Sequence, residues 1–120
     1  MKTFHGNIHN GKRQQTFCDG IRFDSKLEAS YYAYLSMLKV EILDMQSRIY
    51  LTAARILFKP DFEIVDRPTG EVVWIDTKGF DTVISRVKQR LWKHYGPGTL
   101  RIVKLERNRF VTHKEILRVV

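Results

Sequence analysis

The chain has 120 residues, 43% of them hydrophobic, and 21 lysines and arginines against 13 aspartates and glutamates, a formal charge of +8. That length suits one domain with a core. The single cysteine excludes an internal disulfide, and no apolar run approaches the roughly 20 residues of a membrane span. The basic excess points to a polyanionic partner, most simply nucleic acid. No secretory signal pattern opens the chain, so a cytoplasmic protein is expected.

Residues 1–16 read as a flexible basic arm carrying Lys12 and Arg13, which either reaches to DNA or frays. His5, His9 and Cys18 make a poor zinc set, because a fourth ligand is missing. Thr16-Phe17-Cys18 and Ile21-Arg22-Phe23 flank Asp19-Gly20, a strong signal for a hairpin closed by a type I′ turn. Ser25-Lys26-Leu27-Glu28 then opens a helix as a capping box. Leu27, Tyr31, Leu35 and Leu38 form its predicted buried stripe, broadened by Tyr32, Tyr34 and Met37. Glu28 has two readings: a purely structural cap, or an acid belonging to a site.

Val40 to Asp44 leads out of the helix. Met45 to Thr52, containing Gln46, and Ile56 to Phe58 are β-prone, and a strand there is expected beside the one that begins at Asp61. Ala53-Ala54-Arg55 reads as a turn, a bulge or a short helical piece.

Lys59-Pro60-Asp61-Phe62 through Trp74-Ile75-Asp76-Thr77-Lys78-Gly79 reads as two strands joined at Arg67-Pro68-Thr69-Gly70. Counting outward from that turn places Asp61 opposite Asp76. Opposed residues share a face, with Cβ atoms about 5 Å apart, and Lys78, two residues on, shares it too. Two opposed carboxylates destabilise a sheet unless a cation lies between them, and oxygen ligands suit Mg²⁺ or Mn²⁺. With a lysine to hold a water, the set suits metal-assisted phosphodiester hydrolysis. The plainer reading is a surface hairpin with an Asp–Lys pair.

Thr82 is the expected N-cap of a second helix that stops at Gly96-Pro97-Gly98. Val83, Val87 and Leu91 form its predicted core stripe, with Ile84 and Trp92 beside it. Arg86, Arg90 and Lys93 form a basic row, where a phosphate backbone would run or which water would solvate. Leu100 to Leu105 is the last predicted core strand. Phe110 to Val120 reads equally as a short helix capped at Thr112 or as a closing strand.

The order helix, three strands, helix, strand, with acids on the second and third strands, resembles the PD-(D/E)xK nuclease superfamily. Pro60-Asp61 and Asp76-Thr77-Lys78 carry that resemblance. Phe23-Asp24-Ser25-Lys26-Leu27-Glu28-Ala29, Gln46, Pro60-Asp61-Phe62, Ile75 to Phe80 and Lys88-x-x-Leu91-Trp92 narrow it. Together they look like a family of small phage-encoded endonucleases, similar to Holliday junction resolvases and long filed as a domain of unknown function. They are also similar to the nuclease domain of heteromeric transposases, where a Ser-x-x-Glu helix supplies a catalytic acid. The resemblance spans residues 17 to 105.

It implies an α/β fold: a restriction-endonuclease-like αβββαβ core with a mixed central sheet flanked by helices, preceded by the hairpin, in a single nuclease domain over 17–120. Asp61 and Asp76 would bind the metal, Glu28 would complete the acidic cluster, and Lys78 would activate the attacking water. Gln46 would orient a ligand or satisfy the backbone, and Lys88 would contact phosphate. The expected protein is a magnesium-dependent endodeoxyribonuclease, with manganese as a substitute and no small-molecule cofactor. The expected substrate is branched DNA, read by shape because no added recognition domain is present. A homodimer cutting opposed strands is expected, in the host cytoplasm if the gene is a phage's, and the first helix and early hairpin read either as its interface or simply as core. The alternatives are a nuclease for flaps, duplex ends or transposon ends with a partner subunit, and a DNA-binding accessory protein without catalysis.

Overall fold

A computed structural model describes residues 15–119, which fall into two compact units that divide between Lys39 and Val40. Most of the expected basic arm, with His5, His9, Lys12 and Arg13, lies outside the described residues, and Thr16 already begins the first strand.

In the first unit β1 (Thr16–Cys18) pairs antiparallel with β2 (Ile21–Phe23). Asp19 and Gly20 take φ values of 51° and 77° between them, the two left-handed residues a type I′ turn needs. Helix α1 (Lys26–Met37) starts at Ser25, whose hydroxyl accepts the Glu28 N–H at 3.1 Å. Tyr31 and Leu35 are buried as the stripe requires, but Leu38 and Met37 are exposed. Glu28 and Ala29 take buried positions instead.

The second unit is built on a five-stranded mixed sheet, so the chain is a small α/β protein. Its strands are β3 (Ile42–Met45), β6 (Phe62–Val65), β7 (Val72–Thr77), β8 (Thr99–Glu106) and β9 (Arg109–Ile116), side by side in that order. β7 and β8 run parallel, joined by helix α2 (Val83–Tyr95), and the other neighbours are antiparallel. The strand beside β6 is therefore Ile42–Met45, from the stretch expected to be a lead-out. The expected strand over Met45 to Thr52 splits: β4 (Ile49–Tyr50) pairs with β5 (Leu57–Phe58) as a separate hairpin. Its turn is closed by Arg55 N–H to the Thr52 carbonyl, and the Arg55 guanidinium covers the Tyr50 ring at 4.4 Å. The undecided C-terminal segment is strand β9.

One core of this unit gathers Leu51, Phe58, Trp74, Trp92, Leu100, Ile102 and Ile116. The rotation of α2 differs from the expected stripe. Val83, Ile84 and Val87 are 68%, 69% and 46% exposed, while Trp92 and Gln89 are buried. A fully buried indole removes far more apolar surface than a valine, and its N–H needs an acceptor, here the Gly98 carbonyl at 2.7 Å. Its ring meets those of Phe58 and Trp74, each at 5.7 Å.

Gly96 serves this packing rather than a left-handed cap. Its φ is −71°, and a Cβ there would lie 2.5 Å from the Trp92 ring. No helix among the described residues is long and apolar enough to cross a membrane.

Candidate active site

The β6–β7 hairpin has the register counted from its turn. Phe62 faces Ile75 and Val65 faces Val72, and Asp66 N–H bonds the Glu71 carbonyl at 2.8 Å. The turn residue that needs special geometry is Gly70, at φ 73°, whose N–H returns to the Asp66 carbonyl. Continued one step past Phe62, the last paired residue, the same register sets Asp61 opposite Asp76. Both are buried, 6% and 4% exposed.

Thr77 and Gln46 hold the Asp61 carboxylate. Its Oδ2 accepts the Thr77 N–H and the Thr77 hydroxyl, both at 2.8 Å, and its Oδ1 accepts Gln46 Nε2 at 3.1 Å. Gln46 also donates its backbone N–H to the Asp61 carbonyl at 3.1 Å. Gln46 sits at φ 58°, a left-handed conformation that costs a non-glycine residue about 1–2 kcal/mol. Strain of this kind persists where surrounding contacts over-determine it, and here they aim a side chain at a carboxylate. Thr77 has no distinguishing mark in the sequence beyond its place between Asp76 and Lys78. Only the fold reveals it as the main anchor of Asp61.

Lys78 Nζ lies 2.8 Å from Asp76 Oδ2, with the ammonium side chain 19% exposed. Its backbone N–H donates to the Val103 carbonyl at 2.9 Å, extending the β7–β8 ladder past Thr77. The strand end is thus rigid where Asp76 and Lys78 leave it.

Among the described residues no group of three or more His, Cys, Asp or Glu side chains is gathered as a metal cage. The donor chemistry still fits magnesium, a hard cation that takes oxygen ligands and is commonly held by one or two carboxylates, with waters and substrate phosphates completing its shell.

Glu28 belongs to the first unit. It is 1% exposed, and its Oε1 accepts the Ser25 hydroxyl at 3.3 Å. Burying a carboxylate this completely costs several kcal/mol before compensation, more than a helix cap requires. On α2, Arg86, Arg90 and Lys93 are exposed as one basic row, and Lys88 is half-buried.

Residues 9–107 match the model of a family described as "Protein of unknown function (DUF1064)". No curated protein and no solved structure matches the chain.

Proposed function

We propose that this chain, which belongs to the DUF1064 family, is a metal-dependent endodeoxyribonuclease with a restriction-endonuclease-like core. The observation that carries this reading is the burial of Asp61 and Asp76 together at the end of the β6–β7 hairpin, with Asp61 bonded to Thr77, the residue after Asp76, and Lys78 2.8 Å from Asp76. Asp61 and Asp76 would hold the ion, magnesium or manganese. A bound ion of that class polarises a phosphoryl oxygen and acidifies water.

The chain's own groups do the rest. Thr77 and Gln46 fix the Asp61 carboxylate, so it does not swing between rotamers when substrate enters. Asp76 holds the Lys78 ammonium at the solvent edge, where it can hold a water in line with a phosphodiester. Water oxygen adds to phosphorus, the bond to the 3′ oxygen breaks, and a 5′ phosphate and 3′ hydroxyl remain. The net basic charge favours a polyanionic substrate. The resemblance points to branched DNA, and paired cuts in opposed strands call for a two-fold dimer.

The test compares a labelled four-way junction with a matched linear duplex, in magnesium and in EDTA, using wild type and Asp76→Asn. Magnesium-dependent symmetric cuts in the junction, absent in the variant, are expected. Equal cutting of both substrates removes the junction preference and keeps the nuclease. No cutting by pure wild type overturns the nuclease reading.

A further inference from the structure

The sheet face that carries Asp76 continues into a second polar region. Trp74 and Asp76 point to the same side of β7, the side covered by α2, since the Trp74 and Trp92 rings meet. Following the register across the sheet, Asp76 faces Ile102 and Ile102 faces Lys114. Lys114 therefore lies two strands from Asp76, about 10 Å at the usual strand spacing. The register shifts here, with Lys114 opposite Ile102 but Thr112 opposite Val103. His113 is thus an extra residue, a bulge of the kind that re-aims neighbouring side chains.

Lys114 is locked in place. Its Nζ donates to Gln89 Oε1 at 2.7 Å and lies 3.6 Å from Asp81 Oδ2, while Gln89 Nε2 donates to Asp81 Oδ1 at 3.3 Å. Beside this half-buried network, α2 and β9 flank a groove of about 270 Å³. Arg86, Arg90, Lys93 and Lys114 line it. Glu115 also lines it, but its Oε2 is paired with Arg101 Nε at 2.8 Å. Among the described residues no acidic side chain pairs with Arg86, Arg90 or Lys93.

We infer that the α2–β9 groove is a phosphodiester track, binding the backbone of a nucleic-acid strand beside the strand end at Asp61 and Asp76. The choice of ligand rests on the nuclease reading, while binding in the groove does not require cleavage. The row from Arg86 to Lys93 rises about 10 Å along the helix, close to three phosphate steps of one strand at about 3.4 Å each along a duplex. Guanidinium forks suit phosphate oxygens. Lys114, held by Gln89 and Asp81, supplies fixed positive charge to the floor, whereas the three cations on α2 adapt to the strand.

The test is fluorescence anisotropy of a labelled duplex in EDTA, where no cleavage competes, over a salt series. Arg90→Gln/Lys93→Gln should weaken binding about tenfold or more and lower the salt slope by about 2, close to one per phosphate contact. Arg107→Gln/Arg109→Gln removes the same charge from the exposed β8–β9 turn and should leave the slope unchanged. Arg90→Lys/Lys93→Arg keeps the groove charge and should retain wild-type binding, which separates lost charge from lost fold. Equal weakening by the two neutralising pairs would reduce the groove to general net charge and overturn the inference. So would displacement of the duplex by polyglutamate as readily as by unlabelled duplex. Groove-dependent binding by a wild type that never cuts would keep the groove and overturn the nuclease reading.

Discussion

The strand end at Asp61 and the network under α2 use the same residue types to opposite effect. Each has an aspartate held by a glutamine amide, Gln46 on Asp61 and Gln89 on Asp81, and each has an Asp–Lys pair, Asp76–Lys78 and Asp81–Lys114. At the strand end a second buried carboxylate is added. Under α2 the single aspartate faces Lys114 and Lys104, Arg86, Arg90 and Lys93 line the groove beside Lys114, and the sum is positive. One arrangement suits a cation and the other a phosphate. What separates them is the count of carboxylates that the register brings together, not the presence of a Gln–Asp–Lys set.

The sharpest way to break this comparison is at Asp61. Asp61→Asn should lower magnesium-dependent cleavage more than about 10³-fold, roughly 4 kcal/mol of transition-state stabilisation. It should also cost about 1–3 kcal/mol of stability in urea unfolding, because an amide NH₂ would face donors from Thr77 or Gln46. Asp76→Asn should match the catalytic loss and leave duplex binding in EDTA as in wild type. Cleavage that survives either change would remove the strand end from the reaction. The loss of slope in the groove variants comes next in size.

Asp81→Asn tests the other region. It should cost about 1 kcal/mol by loosening Gln89 and Lys114, measured by chemical denaturation, while the remaining cleavage still requires magnesium. A loss as deep as that of Asp76→Asn would merge the two regions into one site.

The smallest effect is a pH dependence. Burial works to raise the Asp81 pKa, but the Gln89 hydrogen bond and the charges of Lys114 and Lys104 outweigh it, so it lies below the ordinary 3.8. Asp66 is lowered chiefly by its hydrogen bond from Arg101, then by that from Thr69. Both groups therefore stabilise the fold above pH 3.8, and that stability is lost as pH falls through their lower folded values. Thermal melts should show a midpoint that drops below pH 3.8, with a shallower drop in Asp81→Asn.

The hairpin register was legible because a turn and a two-residue side-chain period leave little choice once Pro68 and Gly70 mark the turn. The same rules placed the Asp19-Gly20 turn and the Ser25 cap. The rotation of α2 was not legible. Its valines recur at helical spacing, yet Trp92 and Gln89 occupy the buried face and Val83, Ile84 and Val87 stay exposed, because one indole and the hydrogen bonds of Gln89 outweigh three smaller aliphatics. The partner of β6 was missed for a related reason: Ile42–Met45 is an edge strand, and its half-exposed pattern resembles a loop.

The acidic pair and the basic row on α2 could be named from the sequence, whereas Gln46 was named only through the family resemblance. Local chemistry determines such things: turn residues, caps, strand alternation and charge act over a few positions. Thr77 as the anchor of Asp61, the left-handed Gln46 and the lock of Lys114 onto Gln89 and Asp81 were decided only by tertiary structure. Each depends on groups 15 to 33 residues apart, and no local pattern encodes which donors will meet which acceptors once the sheet closes.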